Sequence, residues 1–142
     1  MDITNFLKEG TIDKYFLGCL YNDVKKTIIA TDYQYNKVTN LKMYRLFNKN
    51  NYDLRLYFKN NLKIIELYFW NNEKYSITKN QLKITGNIQI YNFVNLLEEL
   101  NLNWNINSSK SLNHVLCLTI KDSNVNVFFD LDSNILIKMI KE

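Results

Sequence analysis

Arg55, Tyr57, Glu66, Tyr68 and Trp70 lie in two neighbouring segments, DLRLYF at 53–58 and LKIIELYFW at 62–70, whose side chains alternate in character with a period of two. Tyrosine, tryptophan and arginine are the residue types that most often anchor protein–protein interfaces. Joined by Arg45, the same groups also suit a basic, aromatic platform on which single-strand bases stack. Glu66 shares the face of the aromatics and weighs against nucleic acid, as does the lack of any RNP-like or GXXG segment. The expected chemistry is contact with a macromolecule. Arg55, Tyr57, Glu66, Tyr68 and Trp70 are its partner-binding candidates, with Arg45 and Lys138 at the margin.

Catalytic groupings are sparse. The single histidine, His114, stands three positions before Cys117 in an apolar segment. On a strand that spacing sends the two side chains to opposite faces, which separates a nucleophile from its base. His114 therefore reads as structural or exposed. No HExxH, paired CxxC or dense acid cluster suggests a metal site. Asp130 and Asp132 read as turn residues, with a weak calcium contact as the alternative. Glycines occur only at 10, 18 and 86, too scattered for a phosphate-cradling loop. The expectation is a protein without enzymatic activity, cofactor or metal.

Strands must position the candidate residues. Leu54, Leu56 and Phe58 alternate with Asp53, Arg55 and Tyr57, Lys59-Asn60-Asn61 turns the chain, and Ile65, Leu67 and Phe69 then oppose Ile64, Glu66, Tyr68 and Trp70. This is the pattern of a β-hairpin with one buried face. Glu66, hard to bury unpaired, marks the Ile64 side as outer. A similar hairpin, SNVNVFFDLDSNILIKMI at 123–140, follows about 71 positions on and aligns Lys138 with Glu66.

Each hairpin stands behind a helix-like segment. Leu20, Val24, Thr27 and Ile28 recur at helical spacing over 20–30, and Phe93, Val94, Leu97 and Leu100 do so over 90–102. Met43 to Phe47 and His114 to Ile120 supply a first strand for each hairpin. A short helix from Asp2 to Glu9, stopped by Gly10, caps the core. Thr31 to Lys42 reads as a connection, Tyr75 to Ile84 as an extended segment, and Asn101 to Ser111 as a turn-rich bridge. The expected fold is α+β in one domain, 1–142. Two repeated units, 11–70 and 81–140, each of a helix plus three antiparallel strands, form one broad sheet with helices on one face.

Composition agrees with a packed interior: 46% of residues are apolar and 14% aromatic. The net charge of +4 arises wholly in the first half, where residues 1–71 hold 11 Lys and Arg against 7 Asp and Glu. A modest basic face can attract an acidic protein or nucleic acid, or merely keep the surface solvated. No apolar run reaches the length of a membrane span, and the N-terminus does not read as a secretion signal. With Cys19 and Cys117 reading as buried thiols, the expected compartment is the cytoplasm, with no membrane partner.

The order of these segments resembles a known family. FLKEGTIDKYFLGCLYNDVKKTI at 6–28, followed by MYRLF, DLRLYF and LKIIELYF, is similar to small cytoplasmic immunity proteins of bacterial polymorphic toxin systems, with Leu17-Gly18, Asp23-Val24 and the 53–58 strand as the sharpest points. The architecture is also similar to that of β-lactamase inhibitor protein, whose concave sheet grips its target. The resemblance implies a cognate protein toxin as a one-to-one partner. Inhibitors of nucleases tend to be acidic, so this basic chain points to a target with an acidic or mixed surface. The alternative is a sheet-faced single-strand nucleic-acid binder or a phage-type accessory protein.

Overall fold

Alternation of apolar and polar side chains builds an eight-stranded antiparallel sheet. The computed structural model describes residues 3–28, 32–47, 53–69, 84 and 87–142. The strands are β1 (Asp32–Asn36), β2 (Leu41–Phe47), β3 (Asp53–Phe58), β4 (Leu62–Tyr68), β5 (Trp104–Ile106), β6 (Val115–Ile120), β7 (Val125–Asp130) and β8 (Ile135–Lys141), in spatial order β1-β2-β3-β4-β8-β7-β6-β5. Four strands therefore lie on each side of a β4–β8 seam, which pairs Leu67 with Met139 and Tyr68 with Lys138.

One side of the sheet is the core. Leu54, Leu56 and Phe58 of β3, Ile65 and Leu67 of β4, Val125, Val127 and Phe129 of β7, and Leu136 and Met139 of β8 form a single buried cluster. Ile3, Phe6 and Leu7 from the region of α1 (Thr4–Glu9), Val24 of α2 (Tyr21–Val24), and Phe93, Leu96 and Leu97 of α3 (Ile90–Glu99) pack into the same cluster. Phe93 meets Phe129 edge to face, with ring centroids 5.4 Å apart. Burying such rings contributes about 1.5–3 kcal/mol each.

Local chemistry ends each element. Gly10 stops α1 in the left-handed conformation, φ 73°, and donates its N–H to the Phe6 carbonyl. Asn101, at φ 53°, follows α3, where the Leu102 N–H reaches the Leu97 carbonyl and that of Asn101 reaches Glu98. This is a Schellman-type stop with asparagine in the usual glycine place. Asn40, Asn124 and Asn134 hold the same left-handed conformation in the β1–β2, β6–β7 and β7–β8 turns. Asparagine tolerates it better than other residues with a Cβ, so part of the Asn-rich composition serves the turns.

Several expectations need correction. Each half of the sheet has four strands rather than three, because 31–42 contains β1 and the start of β2, and 101–111 contains β5. The helix expected over 20–30 shortens to α2 and a 3-10 turn, Lys25–Thr27. Backbone pairing with the start of β4 claims its approach: Gly18 N–H bonds the Leu62 carbonyl and Leu62 N–H that of Cys19, both at 2.9 Å. α3 ends at Glu99 rather than 102, and α1 is described from Thr4. Of the extended segment expected at 75–84, only Ile84 is described, and it is buried.

Candidate functional site

The other side of the sheet is built from the alternate residues of the same strands. Register aligns Arg45, Arg55, Glu66, Ile140, Asn126 and Thr119 in one row across β2, β3, β4, β8, β7 and β6. The next row holds Asp53, Tyr68, Lys138, Phe128 and Cys117. Arg45, Arg55, Tyr57, Glu66, Tyr68 and Lys138 thus share one face. Trp70 lies outside the described residues.

These side chains form a linked array of alternating charge. Asp53 accepts a bidentate pair from Arg45, with Nε at 2.9 Å and Nη2 at 2.8 Å. Arg55 reaches the same carboxylate through Nη2 at 3.0 Å and Glu66 Oε2 through Nη1 at 3.5 Å. Lys138 Nζ stands 3.4 Å from Glu66 Oε1, and the Tyr57 hydroxyl donates to Glu66 Oε2 at 2.8 Å. The Arg55 guanidinium lies over the Tyr68 ring, 4.3 Å from its centroid, a cation–π contact.

Exposure divides the array by sign. The Asp53 and Glu66 side chains are only 6% and 7% accessible, whereas those of Arg45, Arg55 and Lys138 are 32%, 23% and 31% accessible. Water therefore meets cations and phenol rings, with the carboxylates beneath them. Lys138, expected at the margin, stands at the seam in the middle of the sheet. Asp53 links both arginines, a role that its parity with Arg55 on β3 signalled.

The array tunes its own ionisation. Burial opposes charge on Arg55, but the hydrogen bond and charge of Asp53, with help from Glu66, hold its guanidinium above the ordinary value. Burial raises the Tyr57 hydroxyl, and Glu66 raises it further. Burial likewise raises Tyr68, with Arg55 opposing and Glu66 assisting. Such phenols remain hydrogen-bond donors at neutral pH.

The two halves of this face are not equally open. Between β5 and β6 the chain folds back over the second half: Asn107 Nδ2 donates to Thr119 Oγ1 at 3.0 Å, and Ser111 Oγ accepts the Cys117 N–H at 3.1 Å. Thr119 Oγ1 in turn donates to Asn126 Oδ1 at 2.7 Å. Lys110 pairs with Glu142, and Cys117 is fully buried, its thiol pushed up by burial. The accessible surface is therefore that of β1 to β4, with β8 across the seam.

His114 precedes β6, is exposed, and faces Asp132 with Nδ1 3.1 Å from Oδ1. Asp130 accepts the Asp132 N–H at 3.1 Å and the Ser133 hydroxyl at 2.6 Å, bonds that lower its pKa and bind the aspartate into the turn. Among the described residues no cluster of three or more His, Cys, Asp or Glu side chains could hold a metal ion. No described helix is long and apolar enough to cross a membrane. Comparison with protein-family models, curated proteins and solved structures finds no match to this chain.

Proposed function

We propose that this chain is a non-catalytic inhibitor of the immunity type, which neutralises a cognate bacterial toxin in the cytoplasm by one-to-one contact through the open sheet face. One observation carries the reading: three partly exposed cations and the Tyr57 and Tyr68 rings stand over two buried carboxylates on the side of the sheet that the helices leave uncovered. Such a surface is preorganised, because the buried acids fix the cations before any partner arrives. It offers aromatic and arginine anchors, the residues that dominate interface energetics. Two free, buried cysteines suit a reducing compartment.

In the same reading the two halves are one helix-plus-strands unit used twice. The mirrored strand order about the β4–β8 seam supports this, as does the seam register, which sets Glu66 opposite Ile140 and Tyr68 opposite Lys138 so that the positions aligned in sequence exchange places across it. The second copy has spent its outer face on the Asn107–Leu112 segment, leaving the first to meet the partner.

The test is co-expression with a toxin encoded beside this chain, reading growth rescue and complex mass by light scattering. A one-to-one complex is expected, weakened by about 2–4 kcal/mol in Tyr68→Ala. Wild-type affinity in that variant, with the fold intact, overturns the surface. Steeply salt-dependent binding to a generic oligonucleotide in place of a toxin overturns the inhibitor reading in favour of a single-strand binder.

A further inference from the structure

Beside Arg55 the open face sinks into a hollow of about 500 Å³, bounded by Gln34, Asn36 and Lys37 of the β1–β2 hairpin and floored by Met43 and Tyr57. We infer that this hollow receives an acidic side chain from a loop of the partner protein, an inference that rests on the protein-binding reading above.

Three observations fix that occupant. First, the hairpin tip is set in place: Asn36 Oδ1 accepts the N–H groups of Val38 at 2.9 Å and Thr39 at 3.1 Å, and the Tyr35 hydroxyl donates to Asn40. Lys37 is held on that tip, exposed, and has no acidic partner among the described residues. Second, Asp53 and Glu66 do not use up the Arg55 fork. Nε and Nη2 turn to Asp53, Nη1 to Glu66, and the guanidinium also bonds the Tyr57 hydroxyl oxygen, which leaves one of its five N–H groups able to bind an incoming carboxylate. Third, the floor is a buried methionine and a half-buried aromatic ring, which favours the apolar stem of a glutamate or a neighbouring loop side chain over a hydrated ion.

Charge selects against a polyanion. Within the array Asp53 and Glu66 balance much of the charge of Arg45, Arg55 and Lys138, and the exposed Lys37 at the rim brings a positive charge that no described carboxylate pairs. One carboxylate neutralises it. A nucleic-acid strand running across β3 and β4 would meet cations whose charge is already balanced in large part by Asp53 and Glu66 beneath them, so successive phosphates gain little.

The experiment uses a capped Glu-Tyr-Glu tripeptide and its Gln-Tyr-Gln twin as probes, titrated into the labelled full chain and followed by NMR. Saturable shifts at Lys37, Met43, Tyr57 and the Arg55 side-chain N–H are expected. The Gln twin and the surface variant Lys37→Glu should each weaken binding about tenfold, while Lys63→Glu, on the exposed β4 bulge, should not. Shifts that never saturate or that centre elsewhere overturn the inference. So does a Lys37→Glu variant that binds the probe as wild type does, or a thymidine oligonucleotide that perturbs the same residues more strongly than the peptide. A Lys37→Glu chain that still forms the Tyr68-dependent toxin complex at full affinity overturns the hollow alone, whereas loss of the Tyr68 dependence overturns the face.

Discussion

Glu66 and Lys138 meet diagonally across the β4–β8 seam, Nζ to Oε1 at 3.4 Å, and so connect the two halves of the sheet on its outer side. Because Lys138 is partly solvated, this pair contributes less than a dry one. A double-mutant cycle of Glu66→Gln and Lys138→Met should give a coupling of about 1 kcal/mol. Additive losses in urea unfolding would show that the seam is held by its backbone and core alone.

Asp53 should matter more. It is the shared acceptor of Arg45 and Arg55, and its removal leaves two adjacent guanidiniums with no carboxylate between them. Asp53→Asn is expected to cost about 2–3 kcal/mol, short of a fully buried pair because water reaches both arginines. A urea midpoint within error of wild type would refute the role.

Alkaline pH gives a separate test. Burial and then Glu66 raise Tyr57 above its ordinary 10.0, and burial and then Tyr21 raise Tyr44. For a group whose folded value is raised, the stabilisation is complete below the unfolded value and fades as pH climbs towards the folded one. Stability should therefore hold to about pH 10 and decline above it, with a shallower decline in Tyr57→Phe. Ultraviolet titration should show these phenols ionising after the exposed ones, and a single common transition near the ordinary value would contradict the assignment.

Gly10 tests the end of α1. Its positive φ is unfavourable for alanine, and an added Cβ would stand 3.1 Å from the Lys141 side chain. Lys141 is long and able to move, so the backbone term dominates. Gly10→Ala should lower stability by about 1–2 kcal/mol, and Gly10→Asn by less. Equal melting temperatures for all three chains would contradict the cap.

Adjacent phenylalanines test which face is the core. Phe129 is fully buried against Phe93, whereas Phe128 lies on the outer side with Lys138 Nζ 5.3 Å from its ring. Phe129→Ala should cost about 3–5 kcal/mol, and Phe128→Ala well under half of that. Similar losses would mean that the outer face of β7 is packed as tightly as the core.

The central hairpins were legible because one face of each is buried, and burial imposes period two on the sequence. Leu54, Leu56 and Phe58, then Ile65, Leu67 and Phe69, lie where the alternation puts them, and Glu66 marked the outer side. β1 and β5 were not legible, for a physical reason. An edge strand has one ladder neighbour and little to bury: Tyr33 and Tyr35 stay about half exposed, and β5 spans only Trp104–Ile106. Of the site, the parity of Arg55, Tyr57, Glu66 and Tyr68 could be read from the chain. The pairs of Arg45 with Asp53 and of Lys138 with Glu66 could not, since they depend on the register of β2 against β3 and of β4 against β8. Nor could the Asn107–Leu112 cover, whose hydrogen bonds to Thr119 and Cys117 leave no periodic trace.

The mirrored strand order also governs how the molecule must be made. β4 is synthesised well before β8, its neighbour at the seam, so on the ribosome its inward edge waits unpaired while everything from Phe69 to Asn134 is translated. Closure is then a long-range event of the kind that slows folding, and the nascent first half is open in that interval to capture by another strand.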